Sequence, residues 1–392
     1  MKIGLVCPYN IAKGGGVQEI VLALQLELES RGHTAKILTP EPRDIPDYHR
    51  KDHIIFVGGA ADFKSPLHTT SQFSMAADTS GITDMLQEEK FDILHFHEPW
   101  VPMLSRQILS RSQSVNIATF HAKLPETLMS RTMGKVVTPY TKAVLKQLDQ
   151  LTAVSEAASE YVRSLTDQPV SIIPNGIDLS KYKLAKNVKN TDKSQAEGAP
   201  KTILYIGRLE KRKGVNCLLQ AYSLLVTRDP NVQLIIAGDG PDREMLEYLA
   251  ADLELGNVTF TGYVTDEEKL ELLSTADLFC APALYGESFG IVLLEAMATG
   301  LVTVAGNNPG YASVLQDLGS LSLVNPKDTE EFARRLDVML SDQKLRKLWK
   351  DWAISYVQQY NYPRIVDQYL EIYEEAYKRS PQVSETAWAS SE

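Results

Sequence analysis

The chain has 392 residues, 44% of them hydrophobic, and a formal net charge of -10. That length suits two domains, each with its own core, and the composition is that of a globular chain, not a disordered or fibrous one. The acidic balance argues against general nucleic-acid binding, which needs a broad basic surface, but leaves room for a local basic pocket.

Short β-branched runs alternate with helical patterns. The first half gives strands at "KIGLVCP", "AKILTP", "HIIFVG", "DILHFHEP", "VNIATFH" and "LTAVS". In the first helix Val17, Ile20, Val21, Leu24 and Leu28 share one face, and Gly32 stands where a C-terminal cap belongs. The second half gives strands at "TILYIGR", "VQLIIAG", "VTFTGYV", "ADLFCAP", "VTVAG" and "SLSLV". Runs of this length, apolar throughout, suit strands buried on both faces of a parallel sheet. The alternation, met twice, predicts an α/β chain of two doubly wound domains. Pro-Asn-Gly in "IIPNGIDLSKY" breaks regular structure and marks the boundary. The domains are expected at 1–172 and 173–359, with a helix at 360–378 and a loose tail at 379–392. The polar run "KLAKNVKNTDKSQAEGAPK" reads as a surface loop or mobile insertion.

Cys7, Cys217 and Cys280 lie far apart and are odd in number. That is neither a disulfide framework nor a zinc pattern, and it suits a reducing, cytoplasmic setting. No apolar run approaches the ~18 residues that span a bilayer. The start "MKIGLVCPYN" reads as a strand, not a signal peptide.

Ligands of doubly wound sheets bind outside the carboxyl ends of the strands, so the loops there are where chemistry is sought. After the first strand, Gly14, Gly15 and Gly16 precede a helix start, where backbone N–H groups and the helix dipole favour an anion; a plain flexible turn is the alternative. The spacing is not the dinucleotide fingerprint. After "TILYIG" come Arg208, Lys211, Arg212 and Lys213, which in an acidic chain favour a phosphate site over a solvated charge run. All seven histidines lie in the first 121 residues. His95 and His97 share one strand face and suit buried structural partners, with a metal only weakly signalled. His121 ends a strand and is expected to face a cleft.

In "GESFGIVLLEAMATG", a helix capped by Ser288 would free the amides of Phe289, Gly290 and Ile291 for a phosphate. Glu287 would then stand just outside the helix start and Glu295 over a turn inside. Carboxylates accept hydrogen bonds from paired hydroxyls, as sugars and riboses present them. Dipole compensation by Glu287 and a surface Glu295 is the alternative.

Two similar α/β domains with "GGGVQ", "GRLEKRKG" and "GESFGIVLLEAMATG" resemble the retaining nucleotide-sugar glycosyltransferases of the GT-B fold, family four. The likeness reaches about residue 378 and is greatest to the phosphatidylinositol mannosyltransferases, which use GDP-mannose. It implies two Rossmann-like domains facing a central cleft, with the last helix crossing back to the first. The first would bind the acceptor and the second the nucleotide sugar. It implies that Arg208 and Lys213 neutralise the donor diphosphate, aided by Gly15 and Gly16 and by the helix start at Phe289, Gly290, Ile291 and Val292. Glu295 would hold the ribose, and Val264, Asp266 and Lys269 would meet the guanine. Glu287 would bind sugar hydroxyls, His121 would lie beside the transferred sugar, and Tyr9 and Gln18 would hold an inositol ring. With no Asp-x-Asp pair in the chain, no metal or other cofactor is implied.

The lipid-acting relatives carry a basic amphipathic helix where this chain reads "SGITDMLQEEKFD", which is acidic and would not attract anionic lipid. Lys123, Arg131, Lys135, Lys142 and Lys146 lie among apolar residues further on and offer a substitute for peripheral contact with the membrane's inner face, against which a solvated helix is the favoured alternative. The open alternatives are a UDP-sugar donor with another lipid or soluble acceptor, a sugar-nucleotide epimerase, and a non-catalytic sugar-nucleotide sensor.

Overall fold

The computed structural model describes residues 1–12, 14–42, 51–64, 70–75, 80–101, 103–123, 134–182 and 200–380, and the backbone alone at 51, 59–64, 70–75 and 134–137. The chain divides into two compact units, Met1–Gly176 with Tyr362–Glu392, and Ile177–Asn361. The division therefore falls at Gly176/Ile177 instead of 172/173, because Asn175 and Gly176 still pack in the first unit. The return to that unit comes at Tyr362 instead of 360, because Tyr360 remains with the second: Ile177 N–H donates to its carbonyl at 2.8 Å.

The first unit holds β1 (Lys2–Val6), β2 (Thr34–Glu41), β3 (Ile54–Lys64), β4 (Thr70–Met75), β5 (Ile93–His97), β6 (Val115–Phe120), β7 (Gln150–Ala153) and β8 (Val170–Ile172). Their order is β4-β3-β2-β1-β5-β6-β7-β8. All neighbours are parallel except β3 and β4, which pair antiparallel from Gly59↔Met75 to Lys64↔Thr70. Two of these strands depart from the six expected. β4, "TSQFSM", is polar enough at a sheet edge to carry no apolar run, and β8 has only 3 residues. In β1, β5 and β6 nearly every residue is buried, as a sheet covered on both faces requires.

The helix Gly16–Ser30 buries Ile20, Val21, Leu24 and Leu28, and Gly32 beyond it has the left-handed φ of +80°. The helix Tyr362–Arg379 belongs to this unit. Ile365, Val366, Tyr369, Tyr373 and Ala376 recur at helical spacing and are buried, each large side chain contributing roughly 1.5–3 kcal/mol of apolar burial. Arg31 fixes its start, donating to the Pro363 carbonyl at 2.7 Å and to Asp367 at 2.9 Å.

The second unit holds β9 (Lys201–Ile206), β10 (Val232–Ala237), β11 (Val258–Gly262), β12 (Leu278–Ala281), β13 (Thr303–Gly306) and β14 (Leu323–Val324), in the order β11-β10-β9-β12-β13-β14. All pairs are parallel. The strand order reverses between β9 and β12, the switch point at which such sheets bind ligands. The loops Gly207–Gly214 and Pro282–Gly290 leave those two strands. No described helix is long and apolar enough to cross a membrane.

Most of "KLAKNVKNTDKSQAEGAPK", most of the tail and Arg131 lie outside the described residues, as does the side chain of Lys135. Lys123 pairs with Glu160 at 3.0 Å, and Lys142 and Lys146 are exposed. The acidic helix Ser80–Glu89 has a structural reason for its charge: Glu89 pairs with Lys2 and Lys36, each at 2.6 Å.

The two loops of the second unit touch main chain to main chain. Leu284 N–H donates to the Arg212 carbonyl at 2.8 Å. Gly214 has φ +69°, and a methyl group there would sit 2.1 Å from the Pro282 carbonyl oxygen. Gly214→Ala is expected to cost more than about 2 kcal/mol, since strained backbone and backbone contact add. Gly256→Ala, which meets nothing within 4 Å, should stay within about 0.5 kcal/mol of the parent. Urea unfolding of both variants checks this.

Candidate active site

In the second unit the cations after β9 are bound to carboxylates. Arg208 Nε lies 3.0 Å from Glu210 Oε1, and Arg212 Nε 2.9 Å from Glu210 Oε2. Arg212 Nη1 reaches Glu287 Oε1 at 2.6 Å, and Lys213 Nζ reaches the same oxygen at 2.8 Å. Lys211 is exposed. Burial alone would raise the Glu287 carboxyl, but Lys213 and Arg212 outweigh it and hold the group below the usual carboxylate range. Glu287 is thus an ionised acceptor with its cations on one oxygen.

The segment after Glu287 differs from the expectation at one point. Ser288 does not cap the helix. The helix is Ile291–Thr299 and its N-cap is Gly290, at φ +106°. Ser288 stands two residues too early for its hydroxyl to serve as that cap. A side chain at 290 would meet the Tyr311 ring, so the left-handed turn is made by glycine. By helix geometry the N–H groups of Ile291 and Val292 lack intrahelical partners, whereas Phe289 lies before the helix. Its side chain is buried, 5.8 Å from the Tyr360 ring.

Glu295 is inside the helix and buried, not a surface residue. Its Oε1 accepts from the Tyr182 hydroxyl at 3.0 Å and from Lys269 Nζ at 2.8 Å. Lys269 also lies 3.3 Å from Asp266. That helix, Asp266–Thr275, starts at a capping box formed by Thr265 and Glu268, which fixes the segment carrying Asp266 and Lys269 beside Val264. The second unit thus holds a group of cations, a helix N-terminus, and two carboxylates each anchored through a single oxygen.

In the first unit Tyr9 and Gln18 flank the turn between β1 and its helix. Thr39 donates to the Tyr9 carbonyl at 2.8 Å, and Gln18 Nε2 to the Asn10 carbonyl at 3.5 Å. Gly15 is the helix N-cap, with the Gln18 side chain so close that a methyl at 15 would lie 2.6 Å from its oxygen. Gly14 is exposed and Gly16 is the first helical residue.

His95, His97 and His121 form a buried neutral network. His95 bonds the Tyr373 hydroxyl and Thr119, each at 2.6 Å, and His97 Nδ1 lies 2.9 Å from His121 Nε2. His121 is buried, with Asn175 beside it. Burial pushes His95 down to about 3 and His121 down to about 4, and lowers His97 as well, with His95 and His121 adding to the effect. Glu98 follows at φ +52°, accepting from the N–H groups of His121 and Ala122 and from Trp100 Nε1. Burial raises its carboxyl to about 8 against the pull of those amides.

Sequence reasoning did not single out Glu98, Glu210 or Tyr182. Glu98 had a signal, an acid directly after two buried histidines. Glu210 sits between the cations of its own loop. Tyr182 had none, being 113 residues from its partner.

Residues 14–181 match the model of "Glycosyltransferase Family 4" and residues 187–355 that of "Glycosyl transferases group 1". The chain is 33% identical over 378 residues to the phosphatidyl-myo-inositol mannosyltransferase of Mycolicibacterium smegmatis, covering 95% of this chain and 94% of that protein. Among solved structures it is similar to sucrose-phosphate synthase from Thermosynechococcus elongatus, with TM-score 0.77 and 21% identity over 97% of this chain and all of that one. It is likewise similar to Anabaena HepE in complex with UDP-glucose, with TM-score 0.73 and 18% identity over 96% of this chain and all of that one. The chain belongs to the family-four glycosyltransferases and has their GT-B fold. It is a glycosyltransferase, a hexosyl-transferring enzyme.

The histidine network carries a pH dependence. A histidine depressed on folding stabilises above its unfolded value near 6.5, and that contribution is lost as pH falls toward the folded value. Three histidines act this way, and Glu98, with a raised value, acts oppositely between about 4.5 and about 8. The histidines prevail, so the unfolding free energy should fall on acidification from about pH 6.5 to about pH 5, by about 1.4 kcal/mol per pH unit for each net proton taken up. Replacing His95 by Gln should make that slope shallower. Urea unfolding across the range, with parent and variant, checks both.

Proposed function

We propose that the enzyme transfers mannose from GDP-mannose to the inositol ring of phosphatidylinositol, with retained anomeric configuration and without a metal. The observation that carries this is the 33% identity, over 95% of the chain, to proteins named phosphatidyl-myo-inositol mannosyltransferase. The second unit's chemistry suits the donor. Arg208 and Lys213 would take the diphosphate together with the amides of Ile291 and Val292, where the helix dipole favours an anion. Glu295 would accept from the ribose, and Val264, Asp266 and Lys269 would meet the base. Glu287, ionised and with both cations on Oε1, would present Oε2 to the sugar hydroxyls.

In the first unit the assignments are His121 to the transferred sugar and Tyr9 and Gln18 to a polyol ring. That unit offers buried neutral donors and acceptors, which suit uncharged hydroxyls. In the reaction the bond between the anomeric carbon and the diphosphate oxygen breaks. The acceptor oxygen bonds to that carbon on the same face, and its proton passes to the departing oxygen. Negative charge grows on the leaving group, where Arg208, Lys213 and the helix start would stabilise it electrostatically. These fixed cations are the reason a divalent ion is not required.

The test is product analysis with phosphatidylinositol vesicles. GDP-mannose should yield an α-linked mannolipid, in the presence of excess EDTA as in its absence. Transfer from UDP-sugars alone would replace the donor assignment, and complete loss on chelation restored by magnesium would overturn the metal-free one.

The two glutamates should separate kinetically. A ribose is held alike in ground and transition states, so Glu295→Gln should raise the Michaelis constant for donor and spare the turnover number. Glu287→Gln should instead lower the turnover number, by roughly ten- to a hundredfold, with GDP affinity little changed. Steady-state kinetics with GDP titrations would expose a reversed pattern.

A further inference from the structure

Glu295 is a long side chain inside a helix whose residues from Leu293 to Thr299 are all buried. A glutamate there holds a ligand more tightly if its rotamer is already fixed, since an unfixed one loses orientation entropy on binding. Two donors fix it. Lys269 arrives from the helix Asp266–Thr275, and Tyr182 from the helical turn 179–182. Tyr182 is 7% exposed and Glu295 6%. The turn carrying Tyr182 is itself anchored. Ile177 is bridged to Asn361 and its N–H donates to Tyr360, while Leu179 is buried.

Both bonds fall on Oε1. Among the described residues none falls on Oε2. Each carboxylate oxygen has two lone-pair directions, so Oε1 is fully used and Oε2 is the oxygen a ligand can reach.

We propose that Tyr182 is a specificity-determining positioning residue: its hydroxyl, with Lys269, holds Glu295 so that Oε2 is presented to the vicinal hydroxyls of the donor's ribose. The proposal rests on the reading of Glu295 as the ribose acceptor. It makes discrimination between ribonucleotides and deoxynucleotides depend on a residue that acts through Glu295. The hydroxyl is one of the two donors on Oε1, so its removal loosens the rotamer while Lys269 stays in place.

The experiment is calorimetric titration of the full chain with GDP and with 2′,3′-dideoxy-GDP, repeated with the uracil pair. The parent should prefer the ribonucleotide. Tyr182→Phe keeps the ring and its packing, and should weaken ribonucleotide binding roughly three- to tenfold while leaving the dideoxy compound unchanged. In a Glu295→Gln background, Tyr182→Phe should add no further loss, the signature of acting through Glu295. Thermal unfolding of each variant, matched to the parent, keeps misfolding out of the comparison.

Equal loss for the ribo and dideoxy compounds would make Tyr182 merely structural and overturn the proposal. Tighter ribonucleotide binding by Tyr182→Phe would make the hydroxyl a competitor of the ribose and overturn it too. Unchanged binding would do the same. A parent that binds both compounds alike removes the ribose role of Glu295 and the proposal with it. If only the uracil pair binds but shows the expected pattern, the proposal stands and the guanine donor falls. If neither diphosphate binds, the donor reading itself fails.

Discussion

The second unit depends on one compensated charge, Glu287. Its Oε1 receives Arg212 at 2.6 Å and Lys213 at 2.8 Å, and Arg212 is held from its other side by Glu210. Removing one partner of such a pair would leave a buried, unpaired charge, which costs far more than the pair's net contribution. The pairing therefore fixes which loops must lie together. The loop after β9 and the loop after β12 are joined by these side chains and by the Leu284–Arg212 main-chain bond. Gly214 permits that approach, and Gly290 starts the helix that follows. Arg212, which in the sequence is one cation among four, becomes a strut between two carboxylates, whereas Arg208 stays half exposed.

The first unit solves a different problem. Its polar interior contains almost no compensated charge. His95, His97 and His121 are neutral, and the hydroxyls of Thr119, Thr152, Tyr369 and Tyr373 complete the chain. In the His97–His121 contact one ring nitrogen must donate and the other accept, so the tautomers of the two rings are coupled. Through Tyr369 and Tyr373 the same network reaches the helix Tyr362–Arg379, so the helix that closes the chain is held by polar bonds as well as by apolar burial.

The sequence told most about elements whose cause is local. Buried parallel strands announce themselves as apolar runs, and the first helix by its spacing and by Gly32. β4 and β8 escaped because a polar edge strand and a short one carry no such pattern. The candidate site was legible by residue type but not by pairing. Four cations after a buried strand were visible. That Glu210 and Glu287 pair with three of them was not, since charge sign is written in the sequence and contact is not. The cap at Ser288 failed for a similar reason. Serine is the better cap by type, but Gly290 faces Tyr311, and that contact belongs to the tertiary structure.

The two electrostatic solutions bear on what each unit can hold. In the second, Arg208, Arg212 and Lys213 stand against Glu210 and Glu287, and exposed Lys211 adds a further positive charge beside them. The surplus of cations matches a dianion such as a diphosphate diester, and the helix N-terminus adds to it without carrying a full charge. Without the carboxylates, the same loop would hold several like charges close together, which would repel and splay it. Glu210 and Glu287 therefore make the cation cluster foldable before any anion arrives. The consequence for Glu287 is direct. It must remain ionised to keep Lys213 and Arg212 in place, and an ionised carboxylate can only accept hydrogen bonds. A group on Oε2 that it recognises must therefore be a hydrogen-bond donor, such as a hydroxyl.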